Sequence, residues 1–113
     1  MSKPAIDLDG LRANAAETAP GGVIDRDTVF EFSQHNDVVE ARYAGGKLVA
    51  GFLVGRVHGD TLEFRYCQTH TDGTLAGGHS HCTIRRNDQG RIEIVEEFEW
   101  ATGGTGTNII RQL

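Results

Sequence analysis

Proline is nearly missing from this chain of 113 residues, with two, and so are cysteine, with two, and methionine and tryptophan, with one each. Cys67 and Cys82 allow at most one bridge, so no disulfide framework holds the fold together. Free thiols are the expectation for a reducing compartment. Positive charge is also short: 11 Lys and Arg face 16 Asp and Glu for a net charge of −5, and only Arg85-Arg86 are adjacent. That balance argues against nucleic acid and anionic membranes, which call for basic patches. Long apolar runs are absent, and "MSKPAIDLDG" carries no apolar h-region, so the reading is a soluble cytoplasmic protein without a leader or a span. Helical periodicity is wanting as well. Only "LRANAAE", Leu11 to Glu17, suits a short helix, and it suits an irregular first strand equally.

What the chain does hold is glycine, 15 residues of it. Turn-forming pairs recur at short intervals: Gly21-Gly22, Gly45-Gly46, Gly59-Asp60, Asp72-Gly73, Gln89-Gly90 and Gly103-Gly104. Between them lie alternating stretches rich in β-branched and aromatic residues, "TVFEFSQ", "VVEARYA", "KLVAGFLVGRV", "TLEFRYCQTH" and "RIEIVEEFEW". Period-two runs separated by turn chemistry predict an antiparallel meander. Residues 1–113 then form one domain, with residues 1–6 a flexible N-terminus. A sheet of about eight strands in so short a chain removes its edges best by closing into an up-and-down barrel. The tail offers Ile109, Ile110 and Leu113 to a closing strand.

Loop length fixes which residues of a hairpin share a face. A two-residue type I′ turn at Asp72-Gly73 places Tyr66 opposite His79 and Phe64 opposite His81. A four-residue loop, Asn87 to Gly90, then sets His81 opposite Glu96 and His79 opposite Phe98. One face therefore carries Phe64, Tyr66, Gln68, His79, His81, Ile94, Glu96, Phe98 and Trp100. Cys67 and Cys82 fall on the other. In the first half a loop at His35-Asn36 faces Phe30 and Phe32 toward Ala41 and Val39, and Gly45-Gly46 carries that face to Leu48, Ala50, Phe52 and Val54. Joining the halves requires an odd loop, His58-Gly59-Asp60. An error of two residues would change partners only; an error of one would turn side chains over.

A carboxylate on an otherwise apolar face is costly unless paired, hydrogen-bonded or protonated, which singles out Glu96. With His81 beside it the pair could exchange a proton near neutrality. Tyr66 would stabilise an enolate or orient a carbonyl. His79, Gln68, Tyr43, Phe52, Phe64, Phe98 and Trp100 would line the ligand space. Two readings follow for a small, partly apolar organic molecule: a cofactor-independent isomerase, cyclase or dehydratase using Glu96, His81 and Tyr66, or a non-catalytic carrier. A third is a metal held by His79, His81 and Glu96. No cofactor is called for, and a homodimer stays open.

"TVFEFSQ", "EARYAGGKLVAGFLVG", "LEFRYCQTHTDGTLAGG" and "DQGRIEIVEEFEW" resemble short bacterial proteins often labelled N-acetylglutamate synthase. The resemblance runs from about Thr28 to the C-terminus and implies a small lipocalin- or calycin-like barrel. At "GHSHC" this chain departs from the family. Acetyl transfer from acetyl-CoA in its usual fold needs an R-x-x-G-x-G/A loop, whereas "RYAGGK" ends in Lys47 and reads as a hairpin turn. The expected activity is therefore not acetyl transfer.

Overall fold

Turn chemistry cuts the chain into eight strands: β1 Arg12–Glu17, β2 Val29–His35, β3 Val38–Gly45, β4 Leu48–His58, β5 Thr61–His70, β6 Leu75–Arg86, β7 Ile92–Trp100 and β8 Thr105–Gln112. The computed structural model describes residues 6–20 and 22–113. Each strand pairs antiparallel with the next, and β1 pairs back onto β8, closing the barrel. Among the described residues there is no helix, and none long and apolar enough to cross a membrane. "LRANAAE" resolves as strand: Ala13 and Ala15 alternate into the core, at the narrow seam where β1 meets both β2 and β8. Of the expected flexible residues 1–6, residues 1–5 lie outside the described residues, while Ile6 packs against the core.

The barrel's two ends differ in chemistry. One end is filled by aliphatic side chains, with Val39, Leu62, Ile94 and Ile110 at or below 1% exposure. Leu8 and Leu11 close it, tied by the Leu8 N–H to Gln34 Oε1 and by the Gly10 N–H to the Phe32 carbonyl. The polar interior residues Gln68, Ser80, Glu96 and Asn108 lie toward the other half, the end bounded by the β1–β2, β3–β4, β5–β6 and β7–β8 connections. Even the burial pattern of β5, alternating from Leu62 to Gln68, shows the expected period of two.

Register settles which residues enter. The β2–β3 hairpin turns at Asn36-Asp37, one residue later than expected, so Phe30 faces Tyr43 and Phe32 faces Ala41. That is a shift of two in pairing, and the faces stand. Elsewhere the shift is one. Asp72-Gly73 does not form a type I′ turn, which needs positive φ at both positions. Among the described non-glycine residues only Asn36 has positive φ, and Asp72 instead accepts the Thr74 N–H through Oδ1. Gly73, at φ +90°, supplies the single left-handed residue of a three-residue loop, and the His70 N–H donates to the Thr74 carbonyl. Asn87 to Arg91 repeats the geometry with Gly90 at φ +78°, and Trp100 to Gly104 repeats it again.

Two such loops in place of even ones turn β6 over. Tyr66 faces Gly78, Phe64 faces Ser80, and Cys82 faces Glu96. His79 and His81, expected inside, therefore stand on the outer wall, and Cys82, expected outside, is buried at 1% exposure. On β7 the two one-residue shifts cancel, so Ile94, Glu96 and Phe98 do face inward alongside Phe64, Tyr66 and Gln68. β4 is reversed for another reason. A bulge between Leu48 and Ala50 turns Gly51 and Leu53 inward and leaves Phe52 and Val54 more than half exposed. With that face reversed, the expected three-residue loop is unnecessary, and β4 turns into β5 through Gly59-Asp60 alone.

Candidate functional site

The lumen at the polar half is walled by Phe30, Leu53, Phe64, Phe98 and Trp100, with Tyr43, Tyr66, Gln68, Glu96 and Asn108 among them. Val23 and Ile24 of the β1–β2 connection also line it. Tyr66 and Phe98 both meet Trp100 edge-on, with ring centroids 5.6 and 5.5 Å apart. Trp100 is half-buried, the aromatic nearest the rim. About 20 Å³ of free volume remains there, room for about one water. A wider concavity of about 650 Å³ lies on the outer wall, lined by Arg42, Phe52, Val54, Arg65 and Cys67 among others. The Arg42 guanidinium sits 5.2 Å from the Phe52 ring centroid there, a geometry suited to cation–π attraction.

Inside, the polar groups form two hydrogen-bonded chains. In the first, the Tyr43 hydroxyl donates to Gln68 Oε1 at 2.8 Å, and Gln68 Nε2 lies 3.0 Å from His70 Nε2. Because Oε1 is accepting, the amide nitrogen is the donor and His70 Nε2 the acceptor. In the second, Glu96 accepts from Ser80 Oγ at 2.6 Å and from Asn108 Nδ2 at 3.1 Å. Asn108 Oδ1 in turn accepts the Ala19 N–H at 3.0 Å, linking the buried carboxylate to the loop beside the mouth. Tyr66 donates to the Glu99 carbonyl at 3.3 Å. Among the described residues no buried side-chain nitrogen or oxygen lacks a partner.

Electrostatically the lumen favours protons. Burial raises the Glu96 carboxyl above its ordinary 4.5, against the lowering effect of the Ser80 and Asn108 hydrogen bonds. Burial first, and then the Glu96 charge, raise Tyr43, Tyr66 and the Cys82 thiol. These phenols and this thiol stay protonated at neutral pH, so Cys82 is no nucleophile.

The sequence-derived site is thus divided. Glu96, Tyr66, Gln68, Tyr43, Phe64, Phe98 and Trp100 come together; His79, His81 and Phe52 do not. The expected Glu96–His81 proton pair does not form, because His81 Nδ1 lies 3.7 Å from Glu63 Oε1 on the outer wall. For the same reason His79, His81 and Glu96 cannot share a metal, and among the described residues no three such groups converge. Sequence reasoning missed Ser80, Asn108 and His70. The signal for Asn108 was in "TGTNIIRQ", where it sits one alternation from Ile110; Ser80 lay between the two histidines that drew attention.

A closed antiparallel barrel with an aromatic, polar-floored lumen is a calycin-type architecture, one suited to small-molecule binding. The chain belongs to the avidin-like protein family, whose family model matches residues 6–113. The barrel implied by the earlier resemblance agrees with this, but the N-acetylglutamate synthase label attached to it finds no support. No curated protein and no solved structure matches the chain.

Proposed function

We propose that this barrel is a non-catalytic binding protein for a small, partly apolar organic molecule, taken into the lumen from the Trp100 end. The observation that carries the reading is the pair of polar chains, Tyr43–Gln68–His70 and Ser80–Glu96–Asn108, set within an aromatic wall. Small-molecule sites combine mostly apolar linings with a few placed polar groups in this way. The free volume is small, so a ligand would be seated by displacing the Trp100, Val23 and Ile24 side chains rather than by filling an empty chamber. Gln68 and Tyr43 would orient its polar end. The acid–base alternative retains Glu96 and Tyr66 but has no histidine at the carboxylate, and both oxygens of Glu96 already accept hydrogen bonds.

Trp100 is the sole tryptophan, so its fluorescence reports occupancy directly. Titration with a panel of small aryl and alkyl amides and carboxylic acids should find compounds that shift its emission and raise the melting temperature. Gln68→Leu should weaken those compounds at least tenfold, while Phe52→Ser on the outer wall should leave them unchanged. Binding lost with Phe52→Ser and kept with Gln68→Leu would move the site to the outer concavity and end this reading.

A further inference from the structure

Hydrogen bonding inside the lumen is lopsided. The hydroxyl protons are all spent: Tyr43 donates to Gln68, Tyr66 to the Glu99 carbonyl and Ser80 to Glu96. Each of the two amides gives one N–H, Asn108 to Glu96 and Gln68 to His70, and keeps one. The accepting side is far less used. A carboxylate offers about four acceptor positions, and Glu96 fills two. Among the described residues, neither tyrosine hydroxyl accepts a hydrogen bond in turn. Charge is lopsided in the same sense, because the described lining contains Glu96 and no lysine, arginine or histidine. Taking the lumen as the binding site, on which this step rests, we propose that it selects a ligand with an organic ammonium group, seated against the Glu96 carboxylate within the aromatic walls, with Glu96 as its counter-ion.

An ammonium group suits each part of this inventory. It brings three donors and no acceptor, so it meets the open positions on Glu96 and the tyrosine oxygens without stranding a polar atom. Its charge is attracted to aromatic rings, most where water is excluded. Phe30 of β2, Tyr43 of β3, Phe64 of β5 and Phe98 of β7 line the same space as the carboxylate. The free volume there, about 20 Å³, suits a head group the size of one water, and only the apolar tail has to part Trp100, Val23 and Ile24. Glu96 gains what it lacks. Burial with neutral donors alone holds its carboxyl above the ordinary 4.5, and a neighbouring cation favours the ionised form. Tyr43, Tyr66 and Cys82, the other titratable groups beside it, stay protonated at neutral pH and add no charge of their own. A carboxylate ligand would meet like charge and only the two spare amide N–H groups. A primary amide stands between these cases.

The test uses three apolar tails, benzyl, cyclohexylmethyl and n-butyl, each carried as an ammonium, a primary amide and a carboxylate. All are titrated into the full chain at neutral pH, with Trp100 emission and melting temperature as readouts. Within a series the ammonium compound should bind about tenfold tighter than the amide, and the carboxylate weakest of the three. Glu96→Gln keeps the side chain's shape; it should weaken the ammonium compounds about tenfold or more and leave the amides within about twofold. Glu63→Gln removes a carboxylate that is 79% exposed on the outer wall and should change neither. That control separates a counter-ion in the lumen from the general attraction of a chain with a net charge of −5. Amides or carboxylates that bind as tightly as the ammonium compounds would overturn the proposal and leave the binding reading standing. So would a Glu96→Gln loss that is equal for ammonium and amide, the mark of a merely structural role. No shift in either readout with any compound would bring down both.

Discussion

Glu93 and Glu96 stand three residues apart on β7 and are almost equally hidden, at 3% and 5% exposure, yet they are opposites. Glu93 lies on the outer wall beneath two guanidinium groups, Arg111 Nε at 2.6 Å and Arg85 Nε at 3.0 Å, with Asn87 adding a third donor. Its carboxyl is held below the ordinary range, chiefly by the Arg111 hydrogen bond. Glu96 lies in the lumen with two neutral donors and no cation, and desolvation pushes it up. Burial alone therefore does not decide a carboxylate's behaviour; the charge of what buries it does. The outer residue staples β6, β7 and β8 together, while the inner one ties the lumen's polar floor to the β1–β2 loop.

The comparison can be broken most severely at Asn108. Asn108→Ala removes a donor to Glu96 and the acceptor for the Ala19 N–H, and should cost about 3 kcal/mol in urea unfolding. A loss under about 1 kcal/mol would mean that loop and carboxylate are not coupled. On the outer wall, Arg111→Ala should cost about 1 kcal/mol at neutral pH, and Arg85→Ala about 0.5 kcal/mol, because Arg85 is the more exposed partner. Glu93 has a lowered folded value, so its stabilisation is present above the ordinary 4.5 and fades as pH falls through that folded value. The Arg111→Ala penalty should shrink in the same acid range, measured as melting temperature against pH.

Glu96 reverses the sign. Its folded value is raised, so its contribution is most favourable below 4.5 and is lost as pH rises through the folded value. Glu96→Gln should flatten that part of the stability curve and, at neutral pH, leave the protein as stable as the parent or up to about 1 kcal/mol more so. An unchanged slope would place the titration elsewhere. Ser80→Ala should cost about 1 kcal/mol, with the Glu96 proton held still more tightly, as a carboxyl-carbon NMR titration would show.

Much of the architecture was legible in advance. Alternation in "TLEFRYCQTH" and "RIEIVEEFEW" marked β5 and β7, and Glu96 stood out as a charge on an apolar face. The histidines were misplaced because Asp72-Gly73 fits two turns of different length. In the three-residue loop only Gly73 has positive φ, and the bonds that hold it run from the His70 N–H to the Thr74 carbonyl, from the Gly73 N–H to the His70 carbonyl and from the Thr74 N–H to Asp72 Oδ1. Phe52 was misplaced because a bulge leaves no compositional mark: "KLVAGFLVG" is apolar on both faces, so either parity looked acceptable. Glu96 came out correctly only because the errors on either side of β6 were both one residue and cancelled.

Composition and period, which are local, determined an all-β chain of glycine-punctuated strands and, outside the bulged β4, the membership of each strand's two faces. Which face of β4 and of β6 became the interior was decided by closure. A barrel has one inside, and each hairpin's loop transmits its parity to the next, so the positions of His79, His81 and Cys82 depend on the turns that flank β6, and that of Phe52 on a bulge at the start of β4.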